Sequence, residues 1–208
     1  MKPMHFSTNS AIRMNKWGFF SLLLFLFNQS IAQKTESYQV VTDKSDIEWV
    51  GKKLTGEHSG KIGIQSGTLQ FNGNDLAGGS MTVNMQSITV TDIAKDNPQN
   101  KKLVTHLEDK DFFDVAGFPE ATLTIQSVSK KSKDTYDVKG ALTIKGITKP
   151  IRFDAQITGR THSTVVSRAT LKIDRTQYGI VYKSSALGEA TIYDVFDLNI
   201  KLVAVIKK

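Results

Sequence analysis

Cysteine is absent from the chain. That excludes a disulfide scaffold, thiol catalysis, a Cys-ligated zinc site and a lipid-modified cysteine at a mature N-terminus. An exported domain without disulfides is held by its hydrophobic core, and this chain is long enough to bury one. Acidic residues are missing from residues 1–32, which carry Lys2, Arg13 and Lys16. Apolar runs of membrane-spanning length are missing as well. Trp17 to Phe27 (WGFFSLLLFLF) is about half of the ~20 residues that a spanning helix needs. A basic start, a short apolar run and then Ser30-Ile31-Ala32 read as a secretory signal peptide, residues 1–32, cut after Ala32. MNKWGFFSLLLFLFNQSIA, beginning at Met14, is already a complete leader, so the start codon is either Met1 or Met14. The expected mature chain, 33–208, has the length of one domain, delivered to the periplasm or secreted.

A nucleic-acid footprint is also lacking. The formal charge of +7 shrinks once the leader is set aside: 27 basic residues less its three leave 24 against 20 acidic ones, a net of +4. The densest basic cluster, Lys130, Lys131 and Lys133, falls in an expected hairpin turn, where charge is solvated surface. It has no aromatic stacking platform beside it. The balance is compatible with a weak, transient attraction to anionic membrane surfaces, and it leaves self-association open.

Catalytic signatures are equally scarce. There is no G-x-S-x-G and no H-E-x-x-H. GEHSGKIG (Gly56 to Gly63) has three residues rather than four between its first two spaced glycines, and Ile62 where a phosphate loop needs Ser or Thr, so it reads as a glycine-rich hairpin. His106 stands among Glu108, Asp109 and Asp111, but the positions four before and four after it are Lys102 and Lys110, which would repel a metal. His58 and His162 lie far from it in sequence. A surface or hydrogen-bonding role is expected for each, with no metal, no cofactor and no enzyme chemistry. Asp174 and Arg175 are neighbours on a strand and point to opposite faces, so each is expected to anchor the adjoining loop rather than the other.

What the chain does have is alternation. Met81, Val83 and Met85 share one face; so do Leu123 and Ile125, Tyr136 and Val138, Leu142 and Ile144, Ile151 to Ile157 in steps of two, Leu171 and Ile173, and Phe196 to Leu202 in steps of two. Period two with one apolar face predicts strands whose other face meets water. Eight segments follow, near 45–54, 60–71, 79–91, 119–130, 134–145, 148–158, 164–174 and 191–206. Turn signals separate them at NGNDLAGG (72–79), KKSKD (130–134) and KGITKP (145–150). One stretch breaks the pattern. Asn97-Pro98 is a helix start, and Leu103, Val104 and Leu107 cluster at helical spacing, predicting one helix over about 98–110. The expected fold is all-β: an eight-stranded antiparallel barrel, or a two-sheet sandwich, with one short helix between the third and fourth strands. A barrel of that size is either filled by side chains or holds one small ligand. Phe112, Phe113 and Phe118, between the helix and the next strand, cap one end of the core or line a barrel mouth.

HLEDKDFFDVAGFPEATL (His106 to Leu123) resembles the hL-x-S-x-D-F-F-D … y-P-e-a-t-f signature of the YceI-like family. VKGALTIKGITKPIRFDA (Val138 to Ala155) is similar to that family's v-x-G-x-L-T-i-k-G-v-T-k-p-v hairpin, and IDRTQYGI (Ile173 to Ile180) to its x-d-R-t-d-f-G-i strand end. The motifs occur in family order, over about Asp43 to Val203. The first strand departs from it: WVGKKLTGEHSG stands where many relatives have V-R-H. The resemblance implies a lipocalin-like antiparallel barrel, exported to the periplasm, that binds a long isoprenoid or other amphiphilic lipid. It implies an apolar lining rather than catalytic residues. The matched lining positions are Phe112, Phe113 and Phe118; Leu142, Ile144 and Phe153 from the central hairpin; and Tyr178 and Ile180. Alternation adds Phe196 and Leu198 from the last strand. The expected function is a carrier or sequestering protein for such a lipid. Two rivals are a filled barrel acting as an interaction module for a membrane protein and, more remotely, a small secreted enzyme using His106 or His58.

Overall fold

The computed structural model describes residues 35–185, 188 and 191–207. The expected leader, residues 1–32, lies outside them. Nine strands follow one another: β1 (Thr35–Val40), β2 (Asp46–Lys53), β3 (Gly56–Asn72), β4 (Asp75–Val90), β5 (Glu120–Lys130), β6 (Thr135–Ile144), β7 (Ile147–Arg160), β8 (Thr164–Asp174) and β9 (Ile192–Ile206). A single α-helix among the described residues, α1 (Pro98–Glu108), joins β4 to β5.

Every pairing is antiparallel. From β2 the sheet runs through β9, β8, β7, β6, β5 and β4, and β4 pairs with β3, which returns to β2. The strand order therefore closes into a barrel. Nine strands fill eight positions because β1 and β2 share one. β1 lies between the C-terminal parts of β3 and β9, with Tyr38 opposite both Leu69 and Ile206. β2 lies between their other halves, with Trp49 opposite Gly60 and Leu198. A 3-10 turn, Thr42–Lys44, makes the step between them. β1 is the strand that alternation left out: it is short, and only Tyr38 and Val40 of it are buried.

Two expected turns are shorter than their glycines suggested. In NGNDLAGG the turn is Gly73-Asn74 alone, and Asp75 onward is strand. In GEHSGKIG the glycines belong to β3 itself, after a turn at Leu54-Thr55. Gly60 is where Trp49 crosses the sheet. A Cβ there would stand 1.7 Å from the Thr89 carbonyl oxygen and 2.7 Å from the indole. The Trp49 Nε1–H donates to that same oxygen at 3.1 Å. Register shifts between Lys61 and Gly63, Ile64 and Ser66, and Gln70 and Phe71 bend the long β3–β4 pair. They also move its inward set along the strand, as bulges do.

The barrel has two unlike ends. The turns after β3, β5 and β7 lie at one end, with the start of β1. The β2–β3 and β6–β7 turns, α1 with its flanking loops, and the β8–β9 connection lie at the other. Asn97 caps α1, its side chain accepting from the Gln99 N–H at 2.9 Å, with Pro98 at the first helical position. The buried Asn100 amide donates to the carbonyls of Val90 (3.1 Å) and Ile93 (2.8 Å) and so ties the helix to the end of β4.

Candidate ligand-binding cavity

Under α1 the barrel is hollow. A cavity of about 170 Å³ is walled by residues of seven strands, by one face of the helix and by the loop after it. Leu103, His106 and Leu107, three and four residues apart, turn one helical face into it. Met81, Val83 and Met85 line it from β4, and Ile47 and Trp49 from β2. A second void of about 50 Å³ lies deeper, toward the opposite end. Met81, Leu123 and Ile200 belong to the walls of both and form the waist between them.

The ten residues singled out from the sequence divide by depth. Phe112, Phe113, Leu142, Ile144, Phe196 and Leu198 line the larger cavity. Phe153 lines the deeper void. Tyr178 and Ile180 are 2% and 0% exposed and belong to the solid packing of the helix-bearing end, apart from both walls. Phe118 packs on the β6–β7 turn, where Gly146 has φ 73° and a Cβ would come within 2.7 Å of the Phe118 ring. Sequence reasoning did not assign Trp49, the β4 methionines or His106 to a lining. Alternation on β4 was the available signal for Met81 and Met85. For His106 the signal was its position three residues after Leu103, on the apolar face of the helix.

The loop after α1 folds back on the helix end and sets the aromatic cluster. Phe113 N–H donates to Leu107 O (3.1 Å), Val115 N–H to Glu108 O (2.9 Å) and Phe118 N–H to Asp114 O (2.8 Å). The His106 ring lies edge-on between Phe112 and Tyr182, with centroids 5.2 and 4.6 Å away. Phe113 meets Phe112 at 5.7 Å and Phe196 at 6.4 Å.

Arg175 fixes the β8–β9 connection. Its guanidinium donates to the carbonyls of Ile180 (2.8 Å), Ile192 (3.0 Å) and Tyr193 (3.2 Å), with Asp194 at 3.5 Å. Burial pushes Arg175 below its ordinary range, and Asp194 and Asp174 oppose that shift. Asp174 turns the other way and accepts from the Thr176 N–H (3.0 Å) and hydroxyl (2.6 Å). The two neighbours thus anchor the same loop separately.

At the cavity rim Lys53 Nζ lies 2.9 Å from His58 Nε2, and His58 Nδ1 lies 2.7 Å from Asp92. An ammonium donating to Nε2 leaves the ring proton on Nδ1, directed at the carboxylate. Burial raises Asp92, but hydrogen bonds from His58 and the Ser59 N–H outweigh it and hold the carboxyl below the usual range. Lys52 pairs with Asp197 at 3.5 Å. No cluster of three or more metal-ligating side chains occurs among the described residues.

A closed antiparallel barrel of eight positions, capped by a helix and hollow with an apolar wall at that end, defines a lipocalin-like binding barrel. The match to the YceI-like domain covers residues 38–204, and the chain belongs to the YceI-like family. Protein YceI of Salmonella arizonae is 36% identical over 81 residues, 39% of this chain and 38% of that protein. A UPF0312 protein of Pectobacterium atrosepticum is 35% identical over a stretch of the same length. The chain thus matches well under half the length of these curated relatives. The crystal structure of Burkholderia cenocepacia BcnA shares the fold with a TM-score of 0.65 at 21% identity, covering 79% of this chain and 98% of that one. A polyisoprenoid binding domain from Saccharophagus degradans, described as implicated in plant cell wall breakdown, shares it with a TM-score of 0.61 at 12% identity, covering 83% and 99%.

Proposed function

We propose that the protein is an exported carrier or sequestering protein for a long isoprenoid or similar amphiphilic lipid, held with its tail in the barrel. The single observation that carries this reading is the apolar cavity under α1, continued across the Met81–Leu123–Ile200 waist by a second void. Each methylene taken out of water into such a wall is worth about 0.8 kcal/mol. Ordering a flexible tail takes back part of that. Methionine and branched aliphatic side chains suit a floppy tail, because they repack around it at little cost. Phe112, Phe113, Leu142, Ile144, Phe196 and Leu198 form the main wall and Phe153 the deep end, while Phe118, Tyr178 and Ile180 support the mouth from outside it.

Membership of the YceI-like family and the fold shared with a polyisoprenoid binding domain favour the same ligand class. The basic start, short apolar run and small residues at Ser30 and Ala32 favour export with cleavage after Ala32, to the periplasm or beyond. At the rim, Leu54 is 65% exposed beside Lys52 and Lys53. An apolar tip flanked by cations suits transient contact with an anionic membrane during loading.

Native mass spectrometry of the protein purified from a host that exports it tests the reading directly. The expected result is a stoichiometric adduct that extracts into organic solvent as a polyprenyl lipid. A protein that is bare on purification, and stays bare after incubation with isoprenoids, rules the carrier function out.

A further inference from the structure

The charged side chains of the cavity wall have one sign. Lys52, Lys53 and Arg175 belong to it, and no aspartate or glutamate does. The Arg175 guanidinium is spent on three backbone carbonyls, with Asp194 beside it. Lys52 is paired with Asp197. The other polar residues of the wall are occupied or turned away. The Trp49 N–H and both His58 nitrogens have partners. His106 Nε2 is enclosed by protein, and its ring packs against Phe112 and Tyr182. Thr122 stands between the buried Ala121 and Leu123, so its side chain lies on the outer face of β5, and Tyr193 is 48% exposed. Lys53 is left. An ammonium has three donors. This one gives a single hydrogen bond, to His58 Nε2, and pairs with no carboxylate among the described residues.

Lys53 stands where the wall changes character. Ile47, Trp49, Gly51 and Lys53 alternate along β2, and all four belong to the wall. A Cβ on Gly51 would meet only the Trp49 ring, at 3.9 Å, so the space between the indole and the ammonium is open. Opposite Gly51 on β3 is His58, whose other ring nitrogen lies 2.7 Å from Asp92. Asp92 accepts in turn from the Ser59 N–H at 3.0 Å. The carboxylate thus stands behind the imidazole. It fixes the half-buried ammonium at the rim through the ring, without touching it.

We propose that Lys53 pairs with the head of the bound lipid at the mouth of the cavity, and that this head is a monoanion, a carboxylate. The inference rests on the lipid-binding reading and adds the head group's charge and position. The wall offers one uncommitted positive charge. A carboxylate matches it with charge-assisted hydrogen bonds, which are about twice as strong as neutral ones. A diphosphate would bring further negative charge to a wall whose other cations are already committed. At the rim the head keeps water on its outer side, so its charge is not fully desolvated. The tail then passes over Gly51, lies along Trp49 and runs toward the Met81–Leu123–Ile200 waist.

The test compares three probes with the same twenty-carbon isoprenoid tail at neutral pH: geranylgeranoic acid, geranylgeraniol and geranylgeranyl diphosphate. Acetate supplies the head without a tail. The wild type is expected to bind the acid about tenfold more tightly than the alcohol. The diphosphate binds less tightly than the acid, and acetate does not displace the acid at equal concentration. Lys53→Gln brings acid and alcohol to within about threefold of each other. Lys53→Arg, which keeps the charge, restores most of the preference. Equal losses for acid and alcohol in Lys53→Gln, leaving their ratio intact, would assign the side chain to packing and overturn the proposal. So would a wild type that binds the alcohol or the diphosphate most tightly. Acetate that binds as tightly as the acid would make this a site for free anions and overturn the assignment to a lipid head. Nitrogen NMR of the unmutated protein serves if the glutamine variant does not fold. There the Lys53 Nζ resonance moves with the acid and not with the alcohol, and an unmoved resonance overturns the proposal equally. If no probe binds the wild type, the carrier reading itself fails; if acid and alcohol bind equally, only this inference does.

Discussion

The two ends of the barrel are built from the same alternating strands and are packed in opposite ways. At the end away from the helix, Tyr38, Phe71, Val138 and Val165 are fully or almost fully buried. The Tyr38 and Phe71 rings meet edge-on at 5.4 Å. The Arg160 guanidinium lies 4.3 Å from the Phe71 centroid and donates to the Gly73 carbonyl at 2.7 Å, closing the turn over them. At the helix-bearing end, Ile62, Val83, Phe113, Phe196 and Leu198 also face inward but are only partly buried, around a space that protein atoms leave open. Inward-facing apolar residues therefore do not by themselves make a core. The filled end closes because two aromatic rings and a stacked arginine pack against one another there. The hollow end stays open because a helix and its loop bridge the rim.

Removing a ring from the filled end is the strongest way to break the contrast. Phe71→Ala is expected to cost about 3–5 kcal/mol, since the cavity left there cannot collapse. Urea unfolding measures it; a loss under ~1 kcal/mol would mean that this end is not tightly packed. The folded fraction should still bind lipid.

Charge placed in the hollow end tests its role next. Leu198→Asp puts an unpaired carboxylate in the main wall and should weaken the binding of every tail by about a hundredfold. Phe153→Asp places one in the deep void. It should spare ten-carbon alcohols and weaken long isoprenols by about tenfold. Titrating both variants with a tail-length series separates the compartments. Identical length profiles would mean that the Met81–Leu123–Ile200 waist divides nothing.

Acid titration carries the smallest expected effect. Burial raises the Asp174 carboxyl, but the Thr176 hydroxyl, the Thr176 N–H and Gln177 outweigh it, and the group sits below its ordinary value in the folded protein. Its contribution to stability is therefore full above the unfolded value of about 3.9 and is lost as pH falls through the lower folded value. Asp174→Asn should be less stable than the wild type at neutral pH, with the gap narrowing in strong acid. Urea midpoints at both extremes check this, and a pH-independent gap would show that the carboxylate's charge plays no part.

Much of this architecture is readable in one dimension, for a local reason. Strand alternation and the Asn97-Pro98 helix start depend on residues within a few positions of each other. They placed eight strands and the helix close to where they lie. β1 escaped because six residues with two buried side chains carry too little pattern, and its partners are remote. The reading of NGNDLAGG as a long turn missed that Gly78 and Gly79 serve a bent strand, where backbone shape rather than a chain reversal needs glycine.

The candidate site divides the same way. Phe112 and Phe196 were legible as inward and apolar, and so was Phe153, but not their depth. Depth follows from strand stagger around a closed barrel, and the β3–β4 register shifts help to set it. The Arg175 loop was legible as an anchored one, but for another reason than expected: β8 ends at Asp174, which caps a 3-10 turn that begins with Arg175, so the two diverge at a strand end rather than along a strand. His106 was read only as a histidine without a helical partner. The sequence by itself determined which faces are apolar, where the chain turns and which family the fold belongs to, because those properties are written in neighbours. The tertiary structure decided that one end is solid and the other hollow, and which face of α1 meets the space. Volume and hydrogen-bond satisfaction are sums over side chains brought together from distant strands, and no local pattern contains them.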